Sequence, residues 1–184
     1  MNYVSMIFIC LTMLSCKAKK DSATHNLEHS FTTECPEDGE CTFEVLQNKS
    51  FKELEGSLGE LYYKVAEGKH TLLKFQYERN QIPNTLDGHY IEQIFILLDK
   101  NNLELELKDK ILHNVKATFA RFCYCKGSTG YYKINDGNLS IKKIDDEKYQ
   151  FNFSFKVTEV PKIITEIHEL FTLNCKNLGC MHFL

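Results

Sequence analysis

Eight cysteines stand among 184 residues, and their spacing invites chemistry more than any other feature. Cys123-Tyr124-Cys125 sets two thiols one residue apart, Cys35 and Cys41 bracket the turn-like CPEDGEC, and Cys175 and Cys180 precede His182. A pair as close as Cys123 and Cys125 could cycle between dithiol and disulfide. Together with Cys175, Cys180 and His182 it could also ligate a metal. Neither pattern is the usual one. Redox pairs are commonly Cys-x-x-Cys, and zinc ligands prefer separations that Cys175 and Cys180 just satisfy and Cys123 and Cys125 do not. The expectation is therefore structural bridging, with no metal and no cofactor.

The remaining polar residues do not assemble into a catalytic set. His25 and His29 have the spacing of ligands on a helix, but their surroundings carry no helix signal. His113 and His168 stand alone. Glu104 and Glu106 share a strand face like paired acid–base carboxylates, yet the leucines between them mark a solvated edge of a sheet. Gly127-Ser128-Thr129-Gly130 lacks the Lys-Ser/Thr ending of a phosphate loop and is better read as a turn. No Gly-x-Ser-x-Gly, His-Glu-x-x-His or Gly-x-Gly-x-x-Gly occurs. No catalytic residue is assigned, and a non-enzymatic role is expected. With a net charge of -3 and interspersed signs, the chain lacks the basic footprint of a nucleic-acid binder.

The first fifteen residues, MNYVSMIFICLTMLS, contain no Lys, Arg, Asp or Glu. Their apolar stretch, roughly Tyr3 to Leu14, is shorter than the about 20 residues a bilayer span needs but suits an export signal. Met13-Leu14-Ser15-Cys16 then resembles the lipobox of bacterial lipoproteins, and the Leu-Ser-Cys-Lys run resembles those of Bacteroidota-like envelopes. The resemblance covers about the first 16 residues. It implies cleavage after residue 15, a lipid on Cys16 and anchorage to a membrane. A competing reading cuts an ordinary secretory signal after Ala18 and releases a soluble protein. Both lead to an oxidising compartment.

Residues 17–34 are polar and aperiodic, the mark of a tether that would span about 23 Å on average. Its Lys-rich start lacks the acidic run associated with surface display in such lipoproteins, so the periplasmic face of the outer membrane is the expected address. Residues 35–184 are expected to form one β-rich domain: an antiparallel meander, sandwich or barrel-like fold, with one or two packed helices and α+β as the alternative.

Strand patterns occur at 42–45, 72–77, 90–97 and 103–107. Tyr149, Phe151, Phe153, Phe155 and Val157 alternate with polar residues, the pattern of a sheet with one wet face. Asp136-Gly137 reads as a hairpin turn joining 131–134 to 139–141, which would make a three-strand meander with 149–157. Residues 110–122 could be a helix with Asp109 as N-cap, or a strand running into Cys125. Residues 160–173 read as a helix with Pro161 in its first turn.

With Cys10 removed and Cys16 lipidated, six cysteines remain for disulfides. On one strand, Cys123 and Cys125 would share a face with Cα atoms about 6.6 Å apart, too splayed to bridge each other. At least one is therefore expected to reach Cys35, Cys41, Cys175 or Cys180, closing a loop of over 80 residues worth about 4 kcal/mol where the partner is Cys35 or Cys41. The function these features suggest is a tethered binding or structural module, its partner an envelope protein or a small apolar ligand. The alternative is a thiol/disulfide or metal protein acting through Cys123 and Cys125.

Overall fold

The computed structural model describes residues 32–57 and 59–173. Two antiparallel sheets face each other without closing into a barrel. The five-stranded sheet has the order β1 (Gly39–Glu55), β2 (Leu61–Arg79), β3 (Tyr90–Asp99), β5 (Thr118–Cys123), β6 (Gly130–Lys133). The four-stranded sheet has the order β4 (Leu105–Lys108), β7 (Asp136–Lys143), β8 (Lys148–Lys156), β9 (Glu166–Thr172). The mainly β expectation holds, and the sandwich alternative is the one realised.

The main core lies between the sheets. Leu73, Phe75, Ile94, Ile96 and Phe119 point into it from one side, and Leu139, Ile141, Phe151, Phe153, Phe155, Ile167 and Phe171 from the other. The outward face of the four-stranded sheet is wet. There Ser140, Asn152 and Ser154 pair in register across β7 and β8. Glu104 and Glu106 are solvent-exposed as expected. Glu104 accepts the Lys143 N–H at 3.0 Å, and Glu106 pairs with Lys142 at 3.1 Å.

The five-stranded sheet differs, because both of its faces are covered. β1 and β2 form a hairpin interrupted where Lys49 meets both Glu67 and His70, with Asn48 at φ 58°. The extra residues Gly68 and Lys69 bend the hairpin. A Cβ on Gly68 would meet the Lys49 carbonyl at 2.7 Å, so the bend requires glycine there. Beyond it the arm folds over the outer face of its own sheet. The Phe51 ring stacks 4.6 Å from both Tyr63 and Phe95, and Tyr63 lies 5.2 Å from Tyr131 of β6. With Leu72, Leu97 and Ala120 these rings form a satellite core. Glu53 binds Lys133 at 3.1 Å and accepts from Tyr63 Oη at 2.8 Å.

Three local expectations are corrected. Asp136-Gly137 is no hairpin turn. β6 ends in the five-stranded sheet, buried Ile134 donates to Ala117 O at 2.9 Å, and β7 begins in the opposite sheet with Gly137 against Phe155. The 131–141 hairpin is thus a crossover between the sheets, and the meander is β7-β8-β9, with β4 added alongside β7. Residues 110–122 divide into a 3-10 helix, Asp109–Val115, and strand β5, separated by Lys116 at φ 46°. Asp109 does not cap it; its carboxylate accepts the Gly137 N–H at 3.2 Å.

The expected helix at 160–173 is instead an irregular β8–β9 hairpin loop followed by β9. Ile167 and Phe171 are buried and four apart, a spacing shared by helix and strand. Glu169, half-buried between them on the same strand face, hides the two-residue period. Burial pushes its carboxyl above the ordinary value. The end of the expected tether is also engaged, since Thr33 Oγ1 accepts the His168 N–H at 2.9 Å and donates to His168 O at 3.3 Å. No helix among the described residues is long and apolar enough to cross a membrane.

Candidate functional site

At one end of the sandwich the inner face of the five-stranded sheet turns polar. The register sets Cys41 against Tyr77, Tyr77 against Glu92, and Glu92 against Arg121. One step nearer the end, Gly39 faces Arg79 and Tyr90 faces Cys123. Two disulfides and a network of charges therefore share one rim.

Glu92 is the centre of the network and is fully buried. Its Oε1 accepts from Tyr90 Oη at 2.5 Å and from the Ile163 N–H at 2.7 Å, and its Oε2 accepts the Ile164 N–H at 2.9 Å. Arg121 Nε donates to Tyr90 Oη at 3.2 Å. The Arg79 and Arg121 guanidinium groups stand 4.5 and 5.1 Å from the Tyr90 ring centroid, within cation–π range. Burial, then the bond to Glu92, push the Tyr90 phenol up to about 12.

Lys162 lies 4.6 Å from the Phe155 ring centroid. Burial lowers its ammonium pKa, and the Glu92 carboxylate pulls it the other way. At the rim, Tyr77 Oη donates to Asp38 at 2.7 Å and holds that carboxyl below its ordinary value. Arg79 Nε stands 3.1 Å from the same carboxylate. A Cβ on Gly39 would meet the Tyr77 ring at 2.4 Å, so this close approach needs glycine.

Chemically the Glu92 carboxylate is committed. It satisfies two backbone N–H groups of the 157–165 loop, which otherwise lack a strand partner, and ties that loop to the sandwich end. Sequence reading did not find it. The available signal was its phase: Glu92 alternates with Ile94, Ile96 and Leu98, all buried.

The disulfides correct the expected pairing. Cys35 bridges Cys41 with Cα atoms 5.7 Å apart, and Cys123 bridges Cys125 at 5.1 Å. Neither Cys123 nor Cys125 is a free thiol, as expected, but each is the other's partner. The extended spacing of about 6.6 Å does not apply, because β5 ends at Cys123 and the chain bends through Tyr124. The Thr129 hydroxyl holds that bend, donating to Cys123 O at 2.7 Å and receiving the Cys123 N–H at 3.4 Å. Gly127-Ser128-Thr129-Gly130 is the β5–β6 turn that was expected.

Both bridges close short loops, so each constrains the unfolded chain by about 2 kcal/mol rather than the 4 of a long loop. Cys16, Cys175, Cys180, His25, His29 and His182 lie outside the described residues. A disulfide sulfur is not the thiolate a metal requires, so the oxidised pair offers no ligand. Among the described residues no group of three or more His, Cys, Asp or Glu is placed to hold a metal ion.

His113 is exposed in the last turn of the 3-10 helix, and His168 sits on β9 with its Nδ1 2.8 Å from Asn152 Oδ1. A cleft of 570 Å³ opens elsewhere, lined by Lys108, Asp109, Asp136, Lys156, Lys162 and Glu166 among others. Compared with known proteins, the chain matches no family model, no curated protein and no solved structure.

Proposed function

We propose that this chain is a lipid-anchored cell-envelope protein, attached through Cys16, that acts as a non-enzymatic binding or structural module. The observation that carries the reading is the pair of disulfides Cys35–Cys41 and Cys123–Cys125. Bridges of this kind persist in oxidising compartments and are rare where thiols are kept reduced, which agrees with an export signal ahead of Cys16. The polar stretch after Cys16 meets the sandwich at Thr33, on the edge of the four-stranded sheet. A tether ending there would hold the domain just clear of the lipid headgroups. The periplasmic face of the outer membrane remains the address we favour. The charged cleft favours a polar partner such as another envelope protein over a small apolar ligand.

Replacing Cys16 with Ser tests the anchor. The variant is expected to lose acylation, and to leave the membrane fraction or accumulate uncut. A native protein whose intact mass begins at Lys19 without lipid would overturn the anchor and leave plain secretion in its place.

A further inference from the structure

We propose that the Cys123–Cys125 disulfide is a redox site that accepts two electrons from paired thiols of another exported polypeptide. The polypeptide class rests on the envelope address above; the exchange chemistry does not, and it replaces the non-enzymatic part of that reading with a reaction. Three features single this bridge out. It lies at a strand end on a turn, where the flanking Tyr124 side chain is 86% exposed. The β2–β3 loop enters β3 at Tyr90, directly opposite Cys123, and carries exposed Ile82 and Leu86. An aromatic residue between the sulfurs and aliphatic ones at the same sheet end suit an unfolded, apolar chain segment. Third, the two sulfurs are inequivalent. Cys123 packs against the main core on the strand face it shares with Arg121, whereas Cys125 lies beyond the strand, next to Lys126.

That inequivalence sets the direction of attack. An incoming thiolate bonds to Cys125 Sγ, the Cys125–Cys123 bond breaks, and Cys123 leaves as a thiolate. The leaving sulfur stays on the core side, 3.9 Å from the Thr129 hydroxyl, while the attacked sulfur is the one beyond the strand. The substrate's second thiolate then attacks the substrate sulfur of the mixed disulfide and releases Cys125. Two substrate thiols have given up two electrons and two protons and become a disulfide. Cys123 and Cys125 have gained them and become a dithiol. The Cys35–Cys41 bridge is placed differently: Cys35 is exposed and Cys41 packs against the core as Cys123 does, but the loop between them is acidic, with Glu37, Asp38 and Glu40, and repels an incoming thiolate.

The test titrates the purified full chain in glutathione buffers of graded ratio, traps free thiols by alkylation and maps each cysteine by mass spectrometry. Cys123 and Cys125 should be alkylated together while Cys35–Cys41 stays bridged, at a ratio at least about tenfold more oxidising than the latter needs. Joint reduction of both bridges, or earlier reduction of Cys35–Cys41, overturns the proposal. The attack direction is read with a synthetic peptide bearing two thiols flanked by leucine and phenylalanine. Against the same peptide in its disulfide form, the single thiolate of Cys123→Ser, which keeps Cys125, should open the peptide disulfide and form the mixed disulfide at least about tenfold faster than that of Cys125→Ser; equal trapping overturns the assignment. Tyr124→Ser, at an exposed position that does not endanger folding, should slow oxidation of this peptide about fivefold while leaving reduction by glutathione unchanged. Equal slowing of both would make Tyr124 a structural support rather than a docking residue.

Discussion

The main core and the satellite core use the same aromatic and aliphatic residues but bind the molecule together to different extents. Between the sheets, Phe151, Phe153 and Phe155 touch rings and aliphatic chains from strands far apart in sequence, and Phe43 lies 5.4 Å from Phe151 across the sandwich. Under the arm, Phe51, Tyr63 and Phe95 make one compact stack. That stack is held at the rim by Glu53–Lys133 and by the Lys116 ammonium on Phe51 O at 3.4 Å. Losing the first separates two sheets. Losing the second frees a hairpin hinged at Asn48 and Gly68. Equal burial therefore does not mean equal cooperativity, because local opening is cheaper where fewer elements must part.

The largest effect should come from Phe153→Ala, which is expected to cost about 3–5 kcal/mol in denaturant unfolding monitored across the whole domain. A loss below about 1 kcal/mol would mean that Phe153 is not the inter-sheet residue described. Phe51→Ala removes an equally buried ring but should lower global stability by only about 2 kcal/mol, since the arm can detach while the sandwich persists. Hydrogen exchange should show the difference, with faster exchange over 50–55 and 61–66 and unchanged protection in β7 and β8. Uniform acceleration everywhere would erase the distinction between the cores.

The smallest effect separates two of the buried phenols, Tyr63 and Tyr90, by pH. Burial and then Glu53 push Tyr63 up to about 12, as burial and Glu92 do for Tyr90. Both folded values lie above the unfolded value near 10. The stability they contribute is therefore complete below pH about 10 and falls between about 10 and 12, where the unfolded chain has released protons that the folded one retains. Tyr63→Phe should remove the satellite's share of that alkaline loss. At neutral pH it should cost about 1 kcal/mol for the bond to Glu53. An alkaline profile identical to the parent's would leave the other phenols that burial raises, Tyr77, Tyr90 and Tyr131, to account for the whole effect.

What the sequence revealed follows the same division. β8 was legible because one of its faces is wet, so Phe151, Phe153 and Phe155 stand out against Gln150, Asn152 and Ser154. β9 was not, because a half-buried Glu169 takes the inward place between Ile167 and Phe171 and leaves only a spacing that helices share. The Asp136-Gly137 signal is local, whereas the crossover it occupies is fixed by distant contacts. Gly137 is needed because a Cβ there would meet Ser154 O at 2.5 Å across β8. The folded-back arm left no local mark, since whether Phe51 packs inside or outside depends on a bend at Asn48.

At the candidate site the cysteines were legible as residue types and their pairing was not. The assumption of an extended Cys123–Cys125 segment ignored the bend that Thr129 holds. Glu92 was hidden for a related reason: a lone carboxylate among isoleucines reads as a surface residue until its two backbone donors from the 157–165 loop are in view.

Thr33 has a consequence of another kind. β9 is the last strand of its sheet, and an unpaired strand edge is a template on which a neighbouring molecule can add its own strand. The Thr33 hydroxyl occupies both the N–H and the C=O of His168 on that strand, so the segment that leads into the domain also plugs its margin. Under the proposed lipid anchorage, copies would be confined to two dimensions and meet often, and such a plug would keep crowded neighbours from zipping into a continuous ribbon.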